Sequence, residues 1–137
     1  MDSEGKYFIR FSFSRTQIEQ NLASAFRDLG IAKKTDILDV RFNYAYTAMI
    51  KGGIALLSHR QLKVKSIPGH QAKIIENLAR TLNDDTVETL GNLMRQKRNL
   101  DFYSGGVEVT EKECDEYIDF AESILKRVQD LILNPAR

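Results

Sequence analysis

Apolar residues recur along this chain at two spacings. Tyr7, Ile9, Phe11 and Phe13 alternate with polar neighbours, which is the two-residue period of a strand. No partner strand is evident nearby, so residues 1–13 are read as an extended arm leading into the first helix. From Ser14 the period lengthens to that of a helix. Ser14-Arg-Thr-Gln17 fits a capping box, in which the serine oxygen accepts an orphan backbone N–H and the glutamine reaches back. Ile18, Leu22, Ala25, Phe26, Leu29 and Ala32 then share one stripe, predicting a helix to about Lys33.

A second helix is expected from Thr35 or Asp36, with Asp39 in a first turn that suits an anion. Leu38, Phe42, Ala45, Tyr46, Met49, Ile50, Gly53, Leu56 and Leu57 give it an apolar face broad enough for a central position. Ala45, Ala48, Gly52 and Gly53 are small and would admit a neighbouring helix. Residues 63–68 read as a loop. A third helix is expected from Gly69 or His70, with Ile74, Ile75, Leu78 and Leu82 on one side and a break at Asn83-Asp84-Asp85. A fourth follows from Asp85 to Ser104, ended by Gly105 and Gly106, since glycine accepts the left-handed geometry past a helix end. Thr110-Glu-Lys-Glu113 is a second capping box. It opens a last helix with Cys114, Tyr117, Ile118, Ala121, Ile124, Leu125, Val128, Leu131 and Ile132 inward. The sum is an all-α, up-and-down bundle of about five helices, with residues 14–137 as one domain.

The fourth helix carries Met94-Arg-Gln-Lys-Arg-Asn-Leu-Asp-Phe-Tyr103. At about 100° per residue, Leu90, Leu93 and Leu100 fall together as the core face. Arg95, Arg98, Asn99 and Phe102 gather opposite, with Tyr103 at the margin. Two readings of that face are open. Cations near a helix C-terminus complement its dipole and can simply be solvated. Arginine also binds phosphate bidentately and stacks on aromatic rings, which would explain a phenylalanine among the donors.

Composition narrows the choice. The chain has 137 residues, a net charge of +1, 42% apolar and 28% charged residues, as expected of one soluble domain. Any contact with nucleic acid must therefore be local. Cys114 is the only cysteine, which rules out an internal disulfide and suits a reducing, cytoplasmic setting. No apolar run approaches the roughly 18 residues of a spanning helix, so no membrane role is expected. Two histidines and one cysteine give zinc little to bind, and no phosphate-cradling glycine loop or other cofactor motif is present.

Helix two carries Arg41-Phe-Asn-Tyr-Ala-Tyr-Thr-Ala48, Gly69-His70 opens helix three, and helix four carries Arg95-Gln-Lys-Arg-Asn-Leu-Asp-Phe-Tyr103 with glycines just after. In this order the motifs resemble a HEPN (higher eukaryotes and prokaryotes nucleotide-binding) domain, over about residues 38–106. The resemblance implies a helical bundle that commonly dimerises and a place in a toxin–antitoxin or defence-type module. It also implies an antitoxin or small nucleotidyltransferase partner and contact with nucleotide or RNA. Ribonuclease members carry an arginine, a spacer of four to six residues and a histidine, paired across the dimer in a metal-independent site. By that match Arg98 is the arginine and Asn99 the polar residue after it, but Tyr103 stands where histidine is expected. Imidazole titrates near pH 7, whereas an unperturbed tyrosine ionises near pH 10 and is a poor general base. The resemblance therefore implies nucleotide or RNA contact for Arg98, Asn99 and Tyr103 rather than turnover, and Arg95 joins them as a candidate by its place on the same helix face. An endoribonuclease using Tyr103 is the alternative. Another is a non-catalytic interaction module, with Arg98 paired to a carboxylate such as Asp101 of a second subunit.

His70, at a helix start, can bond the neighbouring turn or join a nucleotide site; His59 lies near the end of helix two. Tyr46 is expected to pack and Tyr44 to be free for a site or partner. Arg60 to Lys65 reads as a solvated basic loop, with nucleic-acid contact as the minority option.

Overall fold

A computed structural model describes the backbone of residues 3–104 and 108–134, and the side chains of 5–100 and 108–134. Among these residues the chain is mostly helical, with six helices and one small two-stranded sheet. A short α1 (Ser3–Tyr7) runs into β1 (Phe8–Arg10), and α2 (Arg15–Lys34) and α3 (Leu38–His59) follow. Then come β2 (Leu62–Val64), α4 (His70–Leu82), α5 (Asp85–Ser104) and α6 (Glu111–Leu133). No helix among the described residues is long and apolar enough to cross a membrane.

The capping boxes start the helices they mark. Ser14 accepts from the Gln17 amide and Gln17 from the Ser14 amide before α2; Thr110 and Glu113 do the same before α6. Helix α3 starts differently from expectation. Thr35 closes α2, and the residue before α3 is Ile37, which has no side-chain oxygen to cap it. The Thr35 hydroxyl accepts from the Ile37 amide instead, holding a short turn between the helices.

Twelve of the 22 residues of α3 are buried, too many for one stripe, so it packs on α2, α6 and α4 together. Its glycines make that possible. A Cβ on Gly52 would lie 2.5 Å from Leu125 of α6, and one on Gly53 would strike Ile74 of α4. The stripe of α6 is buried as expected except for Leu131, which is only partly covered. Cys114 is a core residue there, and burial raises its thiol pKa.

Two expectations are corrected. The alternating arm does find a partner: β1 pairs antiparallel with β2, inside the stretch read as a loop, with Phe8 opposite Val64, Ile9 opposite Lys63 and Arg10 opposite Leu62. Phe8 enters the core, and Ile9 and Phe11 stay 41% exposed. The core face of α5 is also rotated from the one its leucines suggest. Val87, Gly91 and Met94 are buried, while Leu93 and Leu100 are 46% and 65% exposed. Helix α5 lies mainly on α4, and Gly91 sets the closest approach, since a Cβ there would come 2.8 Å from Ile75. A small residue in the tight seam, not a large one, fixes the phase. The glycines expected to end α5 fall outside the described residues.

Candidate phosphate-binding cleft

Extending the buried stripe Val87–Gly91–Met94 by four residues reaches Arg98, which therefore leans over the seam instead of away from it. Its guanidinium carbon lies 5.7 Å from the ring centre of Tyr46, within range of a cation–ring contact. Arg95 sits beside it, its Nε donating to Asn92 Oδ1 at 3.1 Å. Arg95, Arg98 and Asn99 line one cleft with Ser66, Ile67, Pro68, Gly69, His70, Gln71 and Ala72, about 420 Å³ in volume. Among the described residues no carboxylate lines it and neither arginine pairs with an acid. Lys97, between them in sequence, does not line the cleft; its charge helps lower the pKa of Glu113, at the start of α6.

The opposite wall is the start of α4. Gly69 takes a left-handed conformation, φ 88°, and provides no side-chain cap. The His70 amide donates to Ile67 O and the Lys73 amide to Gly69 O. The Gln71 and Ala72 amides have no acceptor among the described residues, so this end of α4 presents unpaired N–H groups to the cleft. With the positive end of the helix dipole, such an end suits an anion. His70 Nδ1 lies 2.8 Å from Ile67 O. A carbonyl only accepts, so Nδ1 carries the proton and Nε2 is left as the ring's other polar atom. His70 thus both bonds the preceding turn and lines the cleft.

Tyr46 does not line the cleft but backs two residues that do, Gln71 and Arg98, a role that packing arguments alone did not assign. It is 2% exposed, and its hydroxyl donates to Gln71 Oε1 at 2.6 Å. Burial pushes its pKa up to about 12, with Arg95 and Arg98 pulling the other way. It stays a neutral donor that orients Gln71. The signal in the sequence was a tyrosine on a buried stripe, whose hydroxyl needs a partner.

The remaining expectations divide. Tyr44 does not join the cleft; it lines a separate polar pocket with Arg27, Asp28, Asn43, Thr47 and Lys51. On α3, positions 44 and 46 lie about 200° apart, so only one of the two tyrosines faces α4. The Tyr103 side chain, and with it any pairing to Arg98, lies outside the described residues, as does that of Phe102. Arg41 bonds Asp115 at 2.8 Å and Ala32 O at 3.3 Å, tying α2, α3 and α6 together away from the cleft. Comparison with protein-family models, with curated proteins and with solved structures finds no match.

Proposed function

We propose that this chain is a HEPN-like helical module that holds the phosphate of a nucleotide or RNA in the α4–α5 cleft. The observation that supports this is the meeting of Arg95, Arg98, Asn99 and His70 with the unpaired amides at the start of α4, in a cavity that no acid lines among the described residues. Two guanidinium groups supply charge and paired donors, and the helix end supplies amides already aimed inward. The test is titration of labelled RNA and of ATP against wild type and Arg98→Ala. Loss of a charge-assisted contact of about 1.5–3 kcal/mol corresponds to a weakening of roughly 10- to 100-fold. Equal binding by the two proteins, or none by either, refutes the reading.

A second reading, self-association, is favoured by a different observation. Leu93 and Leu100 lie seven residues apart on α5 and are both exposed, and an outward apolar stripe on a helix invites a second copy. Wild type is expected to sediment as a dimer at micromolar concentration and Leu93→Glu as a monomer. A monomeric wild type removes this reading and leaves the cleft untouched.

A further inference from the structure

Three of the four cation–ring contacts among the described residues involve rings of the N-terminal arm, and the fourth lies at the cleft. Lys63 Nζ lies 4.9 Å from the ring centre of Phe11, Lys6 Nζ 5.5 Å and Lys73 Nζ 5.7 Å from that of Tyr7, and Arg98 lies over Tyr46. Ile9 in β1 and Phe11 just past it are exposed, Tyr7 and Phe13 on either side pack partly on the core, and register adds Lys63 opposite Ile9. Phe11 and Phe13 form a tilted pair with ring centres 4.8 Å apart. At the other end Tyr7 packs on Gly69, where a Cβ would meet its hydroxyl at 3.2 Å, and Gly69 is part of the cleft wall. The aromatic face of the arm therefore runs directly into the arginine cleft. From Tyr7 to Phe13 it covers roughly 20 Å at ~3.3 Å per residue.

The charge along this route has one sign. Residues 5–18 and 59–75 contain Lys6, Arg10, Arg15, Arg60, Lys63, Lys65 and Lys73 and no aspartate or glutamate. At the chain's average of 19 acids in 137 residues, these 31 positions would hold about four. Glu4, Glu19 and Glu76 border these stretches; Glu19 pairs with Arg15 at 2.9 Å and Glu76 with Lys73 at 3.2 Å, so the argument depends on neither Arg15 nor Lys73. Phe11 is exposed, and a base stacking on it displaces only the end of an exposed lysine.

We infer that the sheet of β1 and β2 is a binding track for single-stranded nucleic acid, which lays bases on Phe11 and its neighbours and leads its backbone into the cleft. This rests on the cleft reading and deepens it: the ligand is a strand of several nucleotides rather than a mononucleotide. Rings that stack on any base, interleaved with cations that meet the backbone, are what sequence-tolerant single-strand binding requires. A duplex keeps its bases stacked on one another and gains little from Phe11.

The experiment is fluorescence anisotropy with a 12-nucleotide single-stranded RNA, the DNA of the same sequence, the 12-base-pair duplex, and ATP. Wild type is expected to bind both single strands more tightly than either ATP or duplex; an RNA preference over DNA would identify contact with the 2′-hydroxyl. Phe11→Ala and Lys63→Ser are each expected to weaken 12-mer binding about tenfold and leave ATP unchanged. Lys63→Ser should also reduce the slope of log affinity against log salt by about one contact. A 2-aminopurine in the strand should lose fluorescence on binding wild type and keep it with Phe11→Ala, which reports stacking independently of affinity. Unaltered 12-mer affinity and quenching in Phe11→Ala, or a duplex bound as tightly as a single strand, overturns the track. Unaltered ATP binding in Arg98→Ala overturns the cleft reading instead, so the two failures are distinguishable. Circular-dichroism melting of each variant separates loss of binding from loss of fold.

Discussion

Tyr46→Phe removes one buried oxygen from behind the cleft, and its effect should change sign with pH. At neutral pH the variant loses the 2.6 Å bond to Gln71 Oε1. Gln71 lines the open cleft, so water can replace the lost donor and the cost stays near the ordinary net value of about 1 kcal/mol. For 137 residues that lowers Tm by about 3–4 °C. In alkali the balance shifts. The folded tyrosine ionises near 12 because burial disfavours phenolate, while the unfolded one ionises near 10. A raised pKa means that the unfolded chain gives up this proton first. The stability held by the neutral phenol is therefore complete below pH 10 and declines as pH rises towards 12. At pH 11 the decline amounts to about 1.4 kcal/mol, enough to cancel the hydrogen bond. Urea unfolding of both proteins from pH 8 to 11 should show wild type ahead at first and the two curves meeting near pH 11. Other tyrosines and the lysines titrate equally in both chains and drop out of the difference. A gap between the two proteins that is constant across this range refutes the buried, neutral Tyr46.

Other expectations concern the frame around the cleft. Gly53→Ala gains helix propensity of about 1 kcal/mol but drives a methyl into the β-branched Ile74, so a net loss of about 1–2 kcal/mol is expected in chemical denaturation. Lys51→Ala strips Asp28, 2% exposed, of the ammonium 2.8 Å from its Oδ2. With the lysine partly exposed, about 2–3 kcal/mol should be lost, and Lys51→Arg should recover part of it. Thr110→Ala removes the cap of α6 at a cost of about 1 kcal/mol, read as a lower Tm. The Thr110 backbone amide holds the Glu113 carboxyl below its ordinary 4.5, against burial and with help from Lys97. A lowered pKa contributes stability present above that value and lost as pH falls through the folded one. Glu113→Gln should accordingly show a shallower acid decline below about pH 4.5, and an unchanged slope counts against the box.

Helix starts were legible where the signal was local. Ser14 with Gln17, and Thr110 with Glu113, need only four consecutive residues to satisfy their amides, and both boxes form. The α6 stripe was legible because its apolar residues are large and regularly spaced. The phase of α5 was not, because Gly91 contributes the closest contact and no hydrophobic signal, while Leu93 and Leu100 signal a core they do not enter. The β1–β2 pairing was hidden by distance in the chain and by the lysine in the short second strand. In the cleft, the clustering of Arg95, Arg98 and Asn99 followed from helical spacing. Their meeting with His70, Gln71 and Tyr46 depends on how three helices pack, which spacing within one helix cannot give. The ion pair of Asp28 with Lys51 was missed for the same reason: it joins α2 to α3.

The pairing of Phe8 with Val64 also sets a schedule for the newborn chain. A ribosome adding about 5–20 residues per second needs roughly 3–11 seconds to make the intervening stretch. Until then a segment displaying Phe8, Ile9, Phe11 and Phe13 has nothing to pair with. That interval is long compared with the microseconds in which a hairpin closes. The arm thus emerges as bait for chaperones or for other nascent chains, and the last β2 residue to leave the exit tunnel ends its exposure.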